Sequence, residues 1–188
     1  MGRSITKEEL NSYEREEFRG TIVVANDFES SKKAVERLSE NKILGFDTET
    51  RPSFRKGNTN NVALIQLASE DFCCLFRLNI TGYFPHLIEL LSNPDIMKIG
   101  LSLKDDFHSL EKNLNFEPRG FIDLQKIAPK YGIEDMSLQK IYALLFHKKI
   151  SKNQRLTNWE ASTLTAAQQH YAALDAWACL KIYKKLCL

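Results

Sequence analysis

Histidine and cysteine are scarce in this sequence, with four of each among 188 residues. The cysteines, at 73, 74, 179 and 187, form no C-x-x-C pair and have no histidine nearby at zinc-ligand spacing. That argues against a structural zinc site and for reduced core thiols. The histidines, at 86, 108, 147 and 170, are scattered and leave no cluster for a transition metal. Any metal must then be a hard cation held by carboxylates. No apolar run approaches the roughly 20 residues that span a bilayer, and the N-terminal stretch has no segment suited to a signal peptide. A cytoplasmic protein without a membrane partner is expected. No repeat, low-complexity tract or Pro/Gly/Ser-rich linker divides the chain. A net charge of +2 does not by itself announce a polyanion partner.

What is present suits one domain. A 43% hydrophobic content over 188 residues supports a sizeable single core. The expected unit is 1–188, with an N-terminal helical extension over 1–20 and a core over about 21–188. A polar helix is expected from Thr6 to Phe18. Strand patterns follow at Thr21–Val24, Ile43–Thr48, Val62–Ala68, Phe72–Phe76 and Ile96–Gly100. Helical patterns cover Ser30–Glu40, Pro85–Ser92, Lys104–Asn115, Leu124–Tyr131, Ser137–Phe146 and Thr165–Lys185. Hairpins first, then strands alternating with helices, predict an α/β fold. Its mixed sheet should be antiparallel at the start, parallel afterwards, and flanked by helices.

Carboxylates carry the chemistry. The apolar run Ile43-Leu44-Gly45-Phe46 leads into Asp47-Thr48-Glu49, and strand alternation puts Asp47 and Glu49 on one face, about 7 Å apart. Two such acids at the edge of a core repel unless a cation neutralises them. Taken alone, this D-x-E also fits a polar strand end meeting solvent. Ser102 and Asp105 have capping-box spacing at the start of the next helix. Its buried stripe is Leu103, Phe107, Leu110 and Leu114, with Asp106 on the margin and Asp105 on the far side. Asp175, set among Ala, Leu and Trp in the last helix, is costly to bury without a cation or donors. Tyr171, one turn earlier, is the alternative donor.

In order and spacing, these segments resemble the DnaQ-like, DEDD-type 3'-5' exonucleases, in the branch of ribonuclease D and the Werner syndrome helicase exonuclease domain. The motifs are FDTET at 46 to 50, NVALIQLAS at 61 to 69, KIGLSLKDDFHSL at 98 to 110, SLQKIYALL at 137 to 145, and the run from Asn158. The resemblance implies a ribonuclease H-like fold, two Mg2+ or Mn2+ ions, and hydrolysis of DNA or RNA from the 3' end. It implies that Asp47 bridges both ions, that Glu49 and Asp175 hold the ion activating water, and that Asp106 supports the second. Glu49 would also contact the terminal 3'-hydroxyl.

Family members orient the water with either a tyrosine or a histidine, and both His170 and Tyr171 precede Asp175. In a continuous helix Tyr171 lies within about 40° of Asp175, whereas His170 points roughly 140° away. Tyr171, and with it the tyrosine branch, is the expected choice, leaving His170 at the surface. Lys148, Lys149, Lys152 and Arg155 could meet phosphates or be solvated surface. Trp159 and Phe54 could stack on bases or belong to the core. Competing readings are a catalytically silent nucleic-acid-binding module on the same fold, or an endonuclease. No protein partner is legible.

Overall fold

The computed structural model describes residues 2–53, 60–110 and 117–188. The chain begins with α1 (Lys7–Ser12), β1 (Glu14–Arg15), β2 (Thr21–Ala25), α2 (Phe28–Ser39) and β3 (Ile43–Thr50). It continues through β4 (Val62–Ala68), β5 (Phe72–Arg77), α3 (Leu78–Thr81), α4 (Pro85–Ser92), β6 (Met97–Gly100), α5 (Leu103–Leu110) and β7 (Phe121–Asp123). After α6 (Leu124–Ile127) and a 3-10 turn (Ala128–Tyr131) come α7 (Leu138–Phe146), β8 (Lys148–Lys149) and α8 (Ala166–Cys187). No helix among the described residues is long and apolar enough to cross a membrane.

Six strands form one mixed sheet in the order β2-β5-β4-β3-β6-β7. β3, β4 and β5 are antiparallel, the last two joined by a turn in which Ser69 N donates to Phe72 O at 2.8 Å. β6 and β7 add in parallel beyond β3, as expected, but β2 joins the opposite edge parallel to β5. One face packs under α8 and α7, around Leu64, Leu75, Ile141, Tyr142 and Trp159. The other packs under α2 and α4, around Leu38, Leu44, Phe46, Leu67 and Leu91.

α8 determines the position of the site. Its alanines 172, 173 and 176 are small enough to bring helix backbone onto the sheet, and Gly45 completes the fit. A Cβ at Gly45 would collide with the carbonyl oxygen of Ala176, so only glycine lets helix and strand touch there. This close approach places Asp175 over β3.

Several elements depart from the sequence reading. The helix expected over Thr6–Phe18 stops at Ser12 after a capping box between Thr6 and Glu9. From Tyr13 the chain is extended, and β1 pairs in parallel with β8, a strand the helical and apolar patterns did not reveal. The N-terminal segment forms a strap. Arg3 N donates to Gly132 O at 2.6 Å, Ile5 N to Asp135 Oδ2 at 2.9 Å, and Phe18 is buried with its ring 5.8 Å from that of Trp177. The helix expected over Leu124–Tyr131 tightens at Ala128 into a 3-10 turn. Pro129, without an N–H, cannot continue an α-helical ladder. α5 is helical to Leu110, and the rest of its expected span, including Leu114, lies outside the described residues.

Candidate active site

β3 carries Asp47 and Glu49 on the face that carries Gly45, and α8 lowers Asp175 onto that face. One carboxylate oxygen from each of the three acids lies within 4.8 Å of the others. Asp175 is 7% exposed, and the other two are half-buried. Burial, then the charge of Asp175, pushes the Asp47 carboxyl up to about 8. Burial and the charges of Asp47, Asp175 and Asp106 push Glu49 up to about 10. Burial raises Asp175 to about 7, opposed by the Tyr171 hydroxyl and the charge of Lys152. Like charges forced together out of water must take up protons or a cation. A cluster of acid oxygens, with no histidine or thiol among them, suits a hard divalent ion.

Asp106 stands beside this trio without joining it. Thr48 Oγ1 donates to Asp106 Oδ1 at 2.5 Å, tying α5 to the strand that bears the other acids. Burial and the charge of Asp47 raise Asp106 to about 8. The capping box expected of Ser102 and Asp105 does not form. Ser102 has φ +63°, and its hydroxyl donates to Asp105 Oδ2 instead of accepting from the helix N–H. Asp123, at the end of β7, accepts the Ser102 and Leu103 N–H groups at 3.1 Å each and so fixes the first turn of α5.

α8 is continuous from Ala166, so Tyr171 sits one turn before Asp175 and faces it, while His170 is exposed. Burial and the neighbouring carboxylates push the Tyr171 phenol well above its ordinary value, so it is a donor at neutral pH. Trp159, left open between base stacking and the core, is fully buried, its ring 6.0 Å from Tyr171. With no free face it cannot stack on a base, and it backs Tyr171. Phe54 lies outside the described residues.

The basic stretch divides in two. Lys148 is paired with Glu16 at 3.0 Å, and Lys149 donates to Asn11 O at 2.5 Å, so both fasten the N-terminal strap. Lys152 and Arg155 are exposed, with no side-chain partner among the described residues. They line a cavity of about 290 Å³ with Leu101, Tyr171 and Asp175. Across Tyr171 lies a second cavity of about 470 Å³, lined by Arg15, Asn153, Gln154 and His170. A larger hollow of about 740 Å³ lies along α5 and α6 and contains none of the four acids.

Three residues at the site were not singled out from sequence: Thr48, Asp123 and Gln66. Gln66 is directly opposite Asp47 in the β3–β4 register, inside an otherwise apolar strand. A polar residue in such a run was the available signal.

Comparison with known proteins agrees with this geometry. A model of a 3'-5' exonuclease family matches residues 22–188. The mouse bifunctional 3'-5' exonuclease/ATP-dependent helicase WRN is 33% identical over 180 residues, covering 90% of this chain and 13% of that protein. The chain thus spans a small part of that relative. Among solved structures, the Nibbler EXO domain of Aedes aegypti superposes with a TM-score of 0.81 at 23% identity, covering 91% of this chain and 90% of that one. RNase D of Escherichia coli, an exoribonuclease involved in structured RNA processing, gives 0.79 at 23% identity, covering 88% and 44%. These two likenesses establish the ribonuclease D type of fold.

Proposed function

Since the chain belongs to the 3'-5' exonuclease family, whose model spans residues 22–188, we propose that it hydrolyses phosphodiester bonds one nucleotide at a time from the 3' end of DNA or RNA. The observation that carries this reading is the convergence of Asp47, Glu49 and Asp175 within 4.8 Å. An acid trio of that kind, on the fold of a nuclease family, matches what a divalent cation on a phosphate substrate requires.

Asp47, Glu49 and Asp175 are the residues to hold one ion, with Asp106 supporting a second, and Mg2+ or Mn2+ suits the all-oxygen set. Bound there, the ions supply charge neutralisation at the phosphate and an activated water. The remaining work falls to the protein. Tyr171, neutral and aimed at Asp175, orients the water by its hydroxyl. Thr48 and Asp123 fix Asp106, one through its carboxylate and the other through the first turn of α5. Lys152 and Arg155, exposed beside the acids, attract the phosphates of the incoming strand. On this reading Glu49 also accepts from the terminal 3'-hydroxyl, which favours an end over an internal bond. In this reading residues 1–188 act as one exonuclease domain.

The test uses 5'-labelled single-stranded DNA and RNA oligonucleotides with Mg2+, Mn2+ or EDTA, and a circular single strand in parallel. A metal-dependent ladder shortening from the 3' end supports the proposal and ranks the two substrates. Cleavage of the circle identifies an endonuclease, and intact substrate under every condition identifies a silent binding module.

A further inference from the structure

Gln66 is a buried amide without a partner. It is 0% exposed, every other residue of β4 is apolar, and neither its Nε2 nor its Oε1 makes a hydrogen bond. An unpaired buried amide loses its water hydrogen bonds with nothing in return, so folded proteins seldom keep one for packing alone. Two other side chains share the condition among the described residues: Trp159 through Nε1 and Asp175 through Oδ1. The unpaired atoms thus comprise donors, on Gln66 and Trp159, and acceptors, on Gln66 and Asp175. Gln66 and Asp47 are antiparallel partners, so their side chains leave the same face with Cβ atoms about 4.5–5.5 Å apart. That face is the one α8 covers with Asp175, and Trp159 packs on Tyr171 of the same helix.

The structure assigns Gln66 as a positioning residue for the acid cluster: its unpaired carboxamide N–H groups, beside Asp47, are the donors that would hold a carboxylate of the cluster in place once a divalent cation is bound. Asp47 adjoins Gln66 across the β3–β4 pairing, and an amide suits the task for electrostatic reasons. It donates without adding charge, where a lysine would compete with the cation and a glutamate would add a further repelling acid. Partners behind metal ligands typically contribute about 10–100-fold in affinity. The inference rests on the reading of Asp47 and Asp175 as cation ligands.

The experiment is titration calorimetry of the full chain with Mn2+ alone, together with melting curves with and without Mn2+. The variants are Gln66→Met, which keeps the volume and removes both polar atoms, and Asp47→Asn as the control. We expect Gln66→Met to melt no lower than the parent without metal, because an unpaired group has gone, and to bind Mn2+ about 10–100-fold more weakly. Parental Mn2+ affinity in Gln66→Met, alongside loss in Asp47→Asn, overturns the role of Gln66 and leaves the cation site standing. Parental affinity in both overturns the cation site itself. If Gln66→Met does not fold, Gln66→Asn keeps the amide but withdraws it by one methylene. Weaker Mn2+ binding in that variant supports the assignment, and unchanged binding overturns it.

Discussion

The molecule treats its buried cations and its buried acid cluster oppositely. At the far end of β6 from the acid cluster, Lys98 is 0% exposed, yet its ammonium donates to Asn93 O at 2.7 Å and lies 5.1 Å from the centre of the Phe121 ring. Burial lowers it to about 8, but a carbonyl and a ring face compensate the charge within the fold. Arg77, 1% exposed, is likewise met by the carbonyl of Ala161 and the side chain of Asn79. Among the described residues, the acids on β3 and α8 have no cationic side chain bonded to them. Lys152 and Arg155 act on them only from the exposed rim. Among the described residues, the buried cations are compensated within the fold and the clustered acids are not, which on the proposed reading leaves them to a ligand. That contrast, more than acidity, marks a binding site.

The contrast breaks most sharply at Asp47. Asp47→Asn should lower metal-dependent cleavage about a thousand-fold, which corresponds to the several kcal/mol that a metal contributes to a phosphoryl transition state. It should also raise the metal-free melting temperature, since one of the repelling carboxylates has gone. Single-turnover cleavage and a thermal melt in EDTA check both parts, and a parental rate would remove Asp47 from the site. Tyr171→Phe tests the next layer. Loss of one orienting hydroxyl should slow the single-turnover rate by about 10–100-fold, at the lower end of a positioned proton-handling group, with Mn2+ affinity unchanged. Exposed His170 serves as the control. A large loss in His170→Ala with a parental rate in Tyr171→Phe would exchange their roles.

Proton uptake sharpens the same contrast. Asp47, Asp106 and Asp175 have ordinary values of 3.8 and sit at about 8, 8 and 7 in the folded protein. Glu49 goes from 4.5 to about 10. Between these limits the folded protein binds more protons than the unfolded chain, so its stability must fall as pH rises. The metal-free melting temperature should therefore decline from pH 5 toward pH 8.5. Added Mg2+ or Mn2+ should restore it at the high end and do little at pH 5, because cation binding must displace the same protons. A metal-free protein that is equally stable at both pH values would show that the acids do not repel.

What could be read from the sequence followed the local periods. Alternation along a strand suffices to put Asp47 and Glu49 together, and the helical repeat suffices to pair Tyr171 with Asp175. The other features depend on partners distant in sequence. Gln66 becomes a site residue only through the register of β4 against β3. Asp123 does so only because β7, a strand of three residues, ends at the first turn of α5. Lys148 and Lys149 read as free charges until β8 is seen pairing with β1. Trp159 could be read either way for a simpler reason. An aromatic residue near a catalytic helix looks the same in sequence whether it stacks on a base or fills the core, and here it fills the core. The extended strap after Ser12 was hidden by a polar composition that suits a helix equally well.

The smallest effect should come from the satisfied charge. Lys98→Met keeps the apolar stem over Phe121 but leaves Asn93 O without its donor, at a cost of roughly 1–3 kcal/mol. At about 2–4 °C per kcal/mol for a chain of this size, the melting temperature should fall by roughly 2–12 °C. Cleavage at a temperature where the variant is folded should match the parent, and so should Mn2+ affinity, because nothing at Lys98 is held open for a ligand. A loss of Mn2+ affinity in Lys98→Met would couple the two regions and end the contrast. Unaltered metal binding with lowered stability would show that the protein uses buried charge for structure in one region and for ligation in the other.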